Sequence, residues 1–176
     1  KQKYFAFISY KREDEKWAKW LQEKLEHYHF PTNLNGRADL PKNIRPIFRD
    51  VTDLTPGLLA EEINKALRNS EWLIVICSPR LRESMWCKKE IETFVKLRGR
   101  ERVLAVLIEG EPEDSFPDEL LFKVEKRTLP DGTVEEIKVP VEPLAADVRG
   151  KTKKEVLKAM KTEILRLLAA MFQLTY

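Results

Sequence analysis

The stretch from Tyr4 to Tyr10 reads YFAFISY, an unbroken apolar and aromatic run without helical period, followed by the charged cluster Lys11, Arg12, Glu13 and Asp14. Such a run is a buried strand ending in a polar loop. Next, Trp17, Leu21, Leu25 and Tyr28 recur at helical spacing with Lys, Glu and Gln between them, which predicts an amphipathic helix closed by Pro31 and the Asn35-Gly36 turn. Residues 45–49, RPIFR, form a second short strand with Pro46 near its entrance. A loop from Asp50 to Gly57 precedes a second helix over Leu58 to Arg68, where Leu59, Ile63, Ala66 and Leu67 share one face. Trp72 to Cys77 is apolar throughout, as a strand buried on both faces of a parallel sheet must be, and Ser78-Pro79 stops it.

The second half continues the alternation. A third helix spans about Ser84 to Arg98, with Cys87, Ile91, Phe94 and Arg98 on one side and Trp86, Glu90 and Phe94 on another. Val103 to Ile108 is a fourth strand. Between 121 and 141, two β-leaning runs flank Pro130-Asp131-Gly132 and predict a β-hairpin insertion. A long helix from Thr152 to Phe172 presents Leu157, Met160, Ile164, Leu167, Leu168 and Met171 on one stripe. Four strands alternating with helices give an α/β fold of three layers around a parallel sheet, because each crossover helix returns the chain to a parallel neighbour. Loops leave the strand ends at Ser9 to Asp14, Arg49 to Gly57 and Ser78 to Trp86, all on the edge where such sheets bind ligands.

Composition narrows the functions available. A length of 176 residues fits a single domain over 1–176, and 43% hydrophobic content supplies a core while 35% charged residues keep the surface wet. The net charge of +3 is spread out and no dense Lys/Arg block occurs, so nucleic acid is not expected as a partner; a membrane is not expected either, on the separate ground of length. The most apolar run is too short to span a bilayer. Two cysteines and the lack of a leader pattern in this chain point to the cytoplasm, and the initial Lys1 suggests processing, trimming or a longer parent.

The motifs exclude more chemistry than they select. No G-x-G-x-x-G follows the first strand, and Ala145 stands where a phosphate loop ending in Gly150-Lys151-Thr152 needs its first glycine. Thr152 as a helix cap accounts for that segment. Cys77 and Cys87 are read as packing thiols and His27 and His29 as surface residues, so no metal site and no resident cofactor are expected. The informative segment is Ser84 to Glu90, SMWCKKE, which sets a glutamate one helical turn after a tryptophan at the ligand edge. Spacing leaves two readings open: a carboxylate in an apolar recess, or a solvated partner of Lys88 and Lys89. Trp86 is likewise either a pocket wall or core packing.

Taken together, FISYKRED after the first strand, FRD with Pro56-Gly57 after the second, LIVICSP in the third and WCKKE on the next helix resemble a TIR (Toll/interleukin-1 receptor) domain over nearly the whole chain. The resemblance is closest to bacterial TIR domains of antiphage (Thoeris-like) and virulence systems. It departs from many adaptor TIR domains in placing five residues between Asp50 and Pro56. The resemblance implies a flavodoxin-like sheet and an NAD+ glycohydrolase or cyclase, with NAD+ as substrate and Glu90 as the catalytic carboxylate. It further implies that Phe7, Ser9, Tyr10, Lys11, Arg12, Arg49, Asp50 and Trp86 surround the nucleotide, with Lys11 or Arg12 on the pyrophosphate. Nicotinamide and ADP-ribose, or a cyclic or conjugated ADP-ribose signal read by a separate effector in antiphage defence, are the implied products. A homotypic TIR–TIR oligomer is the implied assembly. The alternative within the family is a scaffold that assembles without turnover, and Glu90 separates the two.

Overall fold

The computed structural model describes residues 3–29, 44, 46–50 and 56–172, with 56–59 as helix backbone only. The Pro31 and Asn35-Gly36 loop, Arg45, residues 51–55 and the side chain of Leu59 lie outside the described residues. In chain order the elements are β1 (Tyr4–Ser9), α1 (Glu15–Glu26), β2 (Ile47–Arg49), α2 (Pro56–Arg68), β3 (Ser70–Cys77), α3 (Met85–Arg98) and β4 (Val103–Leu107). They continue with the short helices α4 (Pro112–Ser115) and α5 (Asp118–Leu121), then β5 (Phe122–Thr128), β6 (Val134–Pro140), β7 (Ala145–Asp147) and α6 (Lys153–Phe172).

Five strands form one parallel sheet in the order β2-β1-β3-β4-β7. The strand order reverses between β1 and β3, and crevices for ligands open at such a switch point, beyond the carboxyl ends of the strands. The side-chain period of two divides β3 between the faces. Trp72, Ile74 and Ile76 pack with Trp17, Leu21 and Leu25 of α1 and Met160, Ile164 and Leu168 of α6. Leu73, Val75 and Cys77 pack with Ile63 and Leu67 of α2 and Cys87, Ile91 and Phe94 of α3. Both faces of the strand are therefore dry, which is why its sequence shows no polar alternation. No helix among the described residues is long and apolar enough to cross a membrane.

The structure departs from the four-strand expectation by adding β7 at the sheet's edge. Its sequence, AAD, is too short and too weak in β propensity to be read alone. The ladder recruits it: Ala105 N–H donates to Leu144 O at 2.9 Å and Val148 N–H to Leu107 O at 2.9 Å. Val156 also replaces Leu157 as the first fully buried position of α6, because the stripe runs 156, 160, 164, 167, 171. Thr152 caps that helix, its Oγ1 accepting from Glu155 N–H at 3.2 Å. The hairpin of β5 and β6 forms its own two-stranded sheet.

Candidate active site

Glu90 is placed by the register of α3 against the end of β1. Ser84 starts the helix, its Oγ accepting from Cys87 N–H at 3.1 Å. From that start, the buried face carries Cys87, Ile91 and Phe94 into the core, and Glu90 beside them points back at the strand. Its side chain is buried, with 5% of the residue exposed. Ser9 Oγ donates a 2.8 Å hydrogen bond to Glu90 Oε1. A polar residue at the carboxyl end of an apolar strand is thus satisfied by the helix carboxyl.

Among the described residues Glu90 makes no ion pair. Lys88 turns instead to Glu119, at 3.5 Å, and Lys89 is exposed. With no cation to offset its loss of solvent, burial pushes the Glu90 carboxyl up to about 8; the Ser9 hydroxyl pulls it down and the charge of Asp50 adds to the rise. A carboxyl that titrates near neutrality in a cleft is a group poised for chemistry. The neighbouring thiol is not poised in this way. Burial, and then the charge of Glu90, push Cys87 up to about 11, so it stays protonated while its Sγ donates to Tyr10 O at 3.3 Å.

The cleft beside Glu90 has a volume of about 250 Å³ and is lined by Ile8, Tyr10, Lys11, Arg12, Glu15, Asp50, Ser84, Trp86, Cys87 and Glu90. Three loops that leave parallel strands, after β1, β2 and β3, therefore converge on one carboxyl. A second cavity of about 290 Å³ lies between α2 and α3, and Trp86 and Glu90 form a wall common to both. The indole N–H of Trp86 is buried without a hydrogen-bond partner among the described residues. A ligand acceptor at that wall would satisfy it.

Six of the residues expected from sequence around the carboxyl line the cleft or bond to it: Ser9, Tyr10, Lys11, Arg12, Asp50 and Trp86. Phe7 does not. It is fully buried on the α2–α3 face and stacks on Phe48 at 5.0 Å, on the same side of β1 as Ser9 but one strand repeat deeper in the core. Arg49 stands behind the wall. Its Nε donates to Gln22 Oε1 at 2.8 Å and its Nη1 to Tyr10 Oη at 3.2 Å, and the Tyr10 hydroxyl in turn donates to Asp50 O. Arg49 accordingly holds Tyr10 and the start of the β2–α2 loop in place without facing the cavity.

Ile8, Glu15, Ser84 and Cys87 also line the cleft, and of these only Ser84 carried a readable signal, as a helix cap. A buried polar cluster below the rim had none. Asp14, 2% exposed, accepts from Ser78 Oγ at 2.7 Å and Arg80 Nη2 at 2.8 Å, while Arg80 Nη1 reaches Glu109 at 2.9 Å. It ties together the loops that leave β1, β3 and β4.

A family model described as TIR domain matches residues 6–133. A curated relative, the NAD(+) hydrolase ApTIR of Actinoplanes sp., is 32% identical over 111 residues, covering 62% of this chain. The chain spans 14% of that relative's length. Among solved structures, similarity extends to the TIR domains of the activated Roq1 resistosome that recognises the pathogen effector XopQ, with 23% identity, 62% of this chain and 60% of that chain covered, and a TM-score of 0.43. It extends also to a flavodoxin-like domain from Synechococcus sp., with 9% identity, 96% of each chain covered and a TM-score of 0.45.

Proposed function

This chain belongs to the TIR domain family, and from that premise we propose that it cleaves the nicotinamide–ribose bond of NAD+ with Glu90 as the catalytic carboxylate. The observation that carries the reading is the buried Glu90 carboxyl, hydrogen-bonded by Ser9 at 2.8 Å and set in a cleft at the switch point of the sheet. The NAD(+) hydrolase activity for which the Actinoplanes relative is named supports the same substrate.

The chemistry follows from the residue. The C1′–N bond breaks with its electron pair passing to the pyridinium nitrogen, so nicotinamide leaves as a neutral molecule and needs no general acid. Positive oxocarbenium character develops on the ribose, and a carboxylate held in a dry recess stabilises it and accepts hydrogen bonds from the ribose hydroxyls. The cationic substrate favours ionisation of Glu90 as it binds, and the displaced proton passes to solvent. Water then captures the cation to give ADP-ribose and a proton, or a hydroxyl of the same nucleotide captures it to give a cyclic product and a proton. Trp86 walls the site against water, and Lys11 and Arg12 at its mouth meet the pyrophosphate. A homotypic assembly brings such domains to activity, and in bacterial antiphage defence the nucleotide product signals to a separate effector.

Incubating the chain with NAD+ and separating the products by chromatography tests the reading, with mass spectrometry of the ribosyl product identifying the capturing nucleophile. Release of nicotinamide in step with loss of NAD+ is expected. No release at any protein concentration would leave a scaffold that works by assembly alone.

A further inference from the structure

The β5–β6 hairpin stands apart from the main sheet with its seven-residue strands paired only to each other. Most of its residues are exposed on both faces, including Val124 and Val134 at 60% each. Two-stranded ribbons are marginal in water, and each free edge presents a row of unpaired backbone groups. The family match ends at Thr133, immediately before β6.

The ladder fixes which groups are free. Leu129 N–H donates to Thr133 O at 2.7 Å at one end of the hairpin and Val141 N–H to Leu121 O at 2.9 Å at the other. With the register between them, alternation turns the backbone groups of Glu135, Ile137 and Val139 toward β5 and those of Val134, Glu136 and Lys138 outward. Among the described residues neither Glu136 nor Lys138 has an ion-pair partner.

We propose that the outer edge of β6 pairs antiparallel with β6 of a second copy of this chain, about a two-fold axis through Ile137, to make a continuous four-stranded sheet. The charge pattern VEEIKVP selects that register. With the axis at Ile137, Glu136 of each copy lies opposite Lys138 of the other and the two exchange both backbone hydrogen bonds. Ile137 meets Ile137 at the closer, non-hydrogen-bonded spacing, and Val134 meets Pro140. Moving the axis by one residue to either side sets Glu136 against itself or Lys138 against itself. The equivalent centred register on the β5 edge would oppose Glu125 to Glu125; Lys138, exposed beside the Phe122 ring with its Nζ 6.0 Å from the ring centroid, turns to Glu136 of the second copy in the paired form. Pro140 lacks the N–H to lengthen the ladder, and the contact closes as a pair because the two-fold axis uses the same edge of both copies.

The test is sedimentation velocity of the full chain over a concentration series reaching roughly 1 mM, for the wild type, Glu136→Lys, Lys138→Glu, an equimolar mixture of the two variants, and the double exchange in one chain. All substitutions are at exposed positions of the hairpin, and circular dichroism checks that each variant folds. A wild-type monomer–dimer equilibrium is expected, weakened about tenfold or more in either single variant, where two like-charged pairs replace two attractive ones. The mixture and the double exchange restore association, because each again opposes Lys to Glu. A wild type that stays monomeric throughout, single variants that associate as the wild type does, or a mixture no stronger than its components would each overturn the proposal.

Discussion

Glu90 unites two properties that oppose one another, a buried position and a carboxyl. In the native chain it titrates near 8, whereas in the unfolded chain it has an ordinary glutamate value near 4.5. Between those values the folded state holds a proton that the unfolded state has released, so stability falls as pH rises from about 4.5 to about 8 and is level above. Glu90→Gln keeps a neutral polar group within reach of Ser9 and removes that loss. Urea unfolding at pH 8.5 is expected to show the variant more stable than the wild type, on the order of a few kcal/mol, with the difference vanishing near pH 4.5. Equal stability at both pH values would place the carboxyl in water. Ser9 acts in the opposite direction, its hydroxyl favouring the charged form. Ser9→Ala therefore raises the Glu90 value further, and the rise of kcat/KM with pH should move to higher pH than in the wild type. An unmoved profile would mean that the group governing turnover is not the one Ser9 touches.

At the scale of elements, the position of Glu90 depends on where α3 begins. Ser84 supplies the cap, and Ser84→Ala is expected to cost about 1 kcal/mol in thermal or urea unfolding. A loss below a few tenths would show that the N-terminal turn is held by packing of Cys87 and Ile91 instead. The long helices and the long strands were legible in the sequence because each buries a face whose period is visible, α1 through Trp17, Leu21 and Leu25 and β3 through its unbroken apolar run, whereas the four-residue helices α4 and α5 are too short to show one. β7 was not legible, since two alanines and an aspartate have no pattern of their own and pair only because β4 offers an open edge. Phe7 and Ser9 share the face of β1 that α3 covers, and only Ser9, at the carboxyl end of the strand, comes within reach of Glu90, while Phe7 is sealed in the core. The resemblance sets Arg49 around the nucleotide, yet Gln22 of α1, 27 positions away in sequence, draws its guanidinium aside.

For the whole molecule, the cleft beside Glu90 exists because a parallel sheet delivers three loops to one rim, and that much follows from the alternation of strands and helices. What holds the rim together does not. Asp14, Ser78, Arg80 and Glu109 come from three loops, and nothing in their spacing announces that a buried carboxylate will receive both a hydroxyl and a guanidinium. Glu90 was singled out through resemblance to a known motif, while its burial and its separation from Lys88 and Lys89 needed the fold. The central claim is that this one carboxyl stabilises the cation formed as nicotinamide departs. The most direct measurement is the rate of nicotinamide release from NAD+ by wild type and by Glu90→Gln at equal concentration and pH 8, with matching circular dichroism. A loss of roughly a thousandfold in the variant is predicted, and turnover by the variant within a few-fold of wild type would contradict the account.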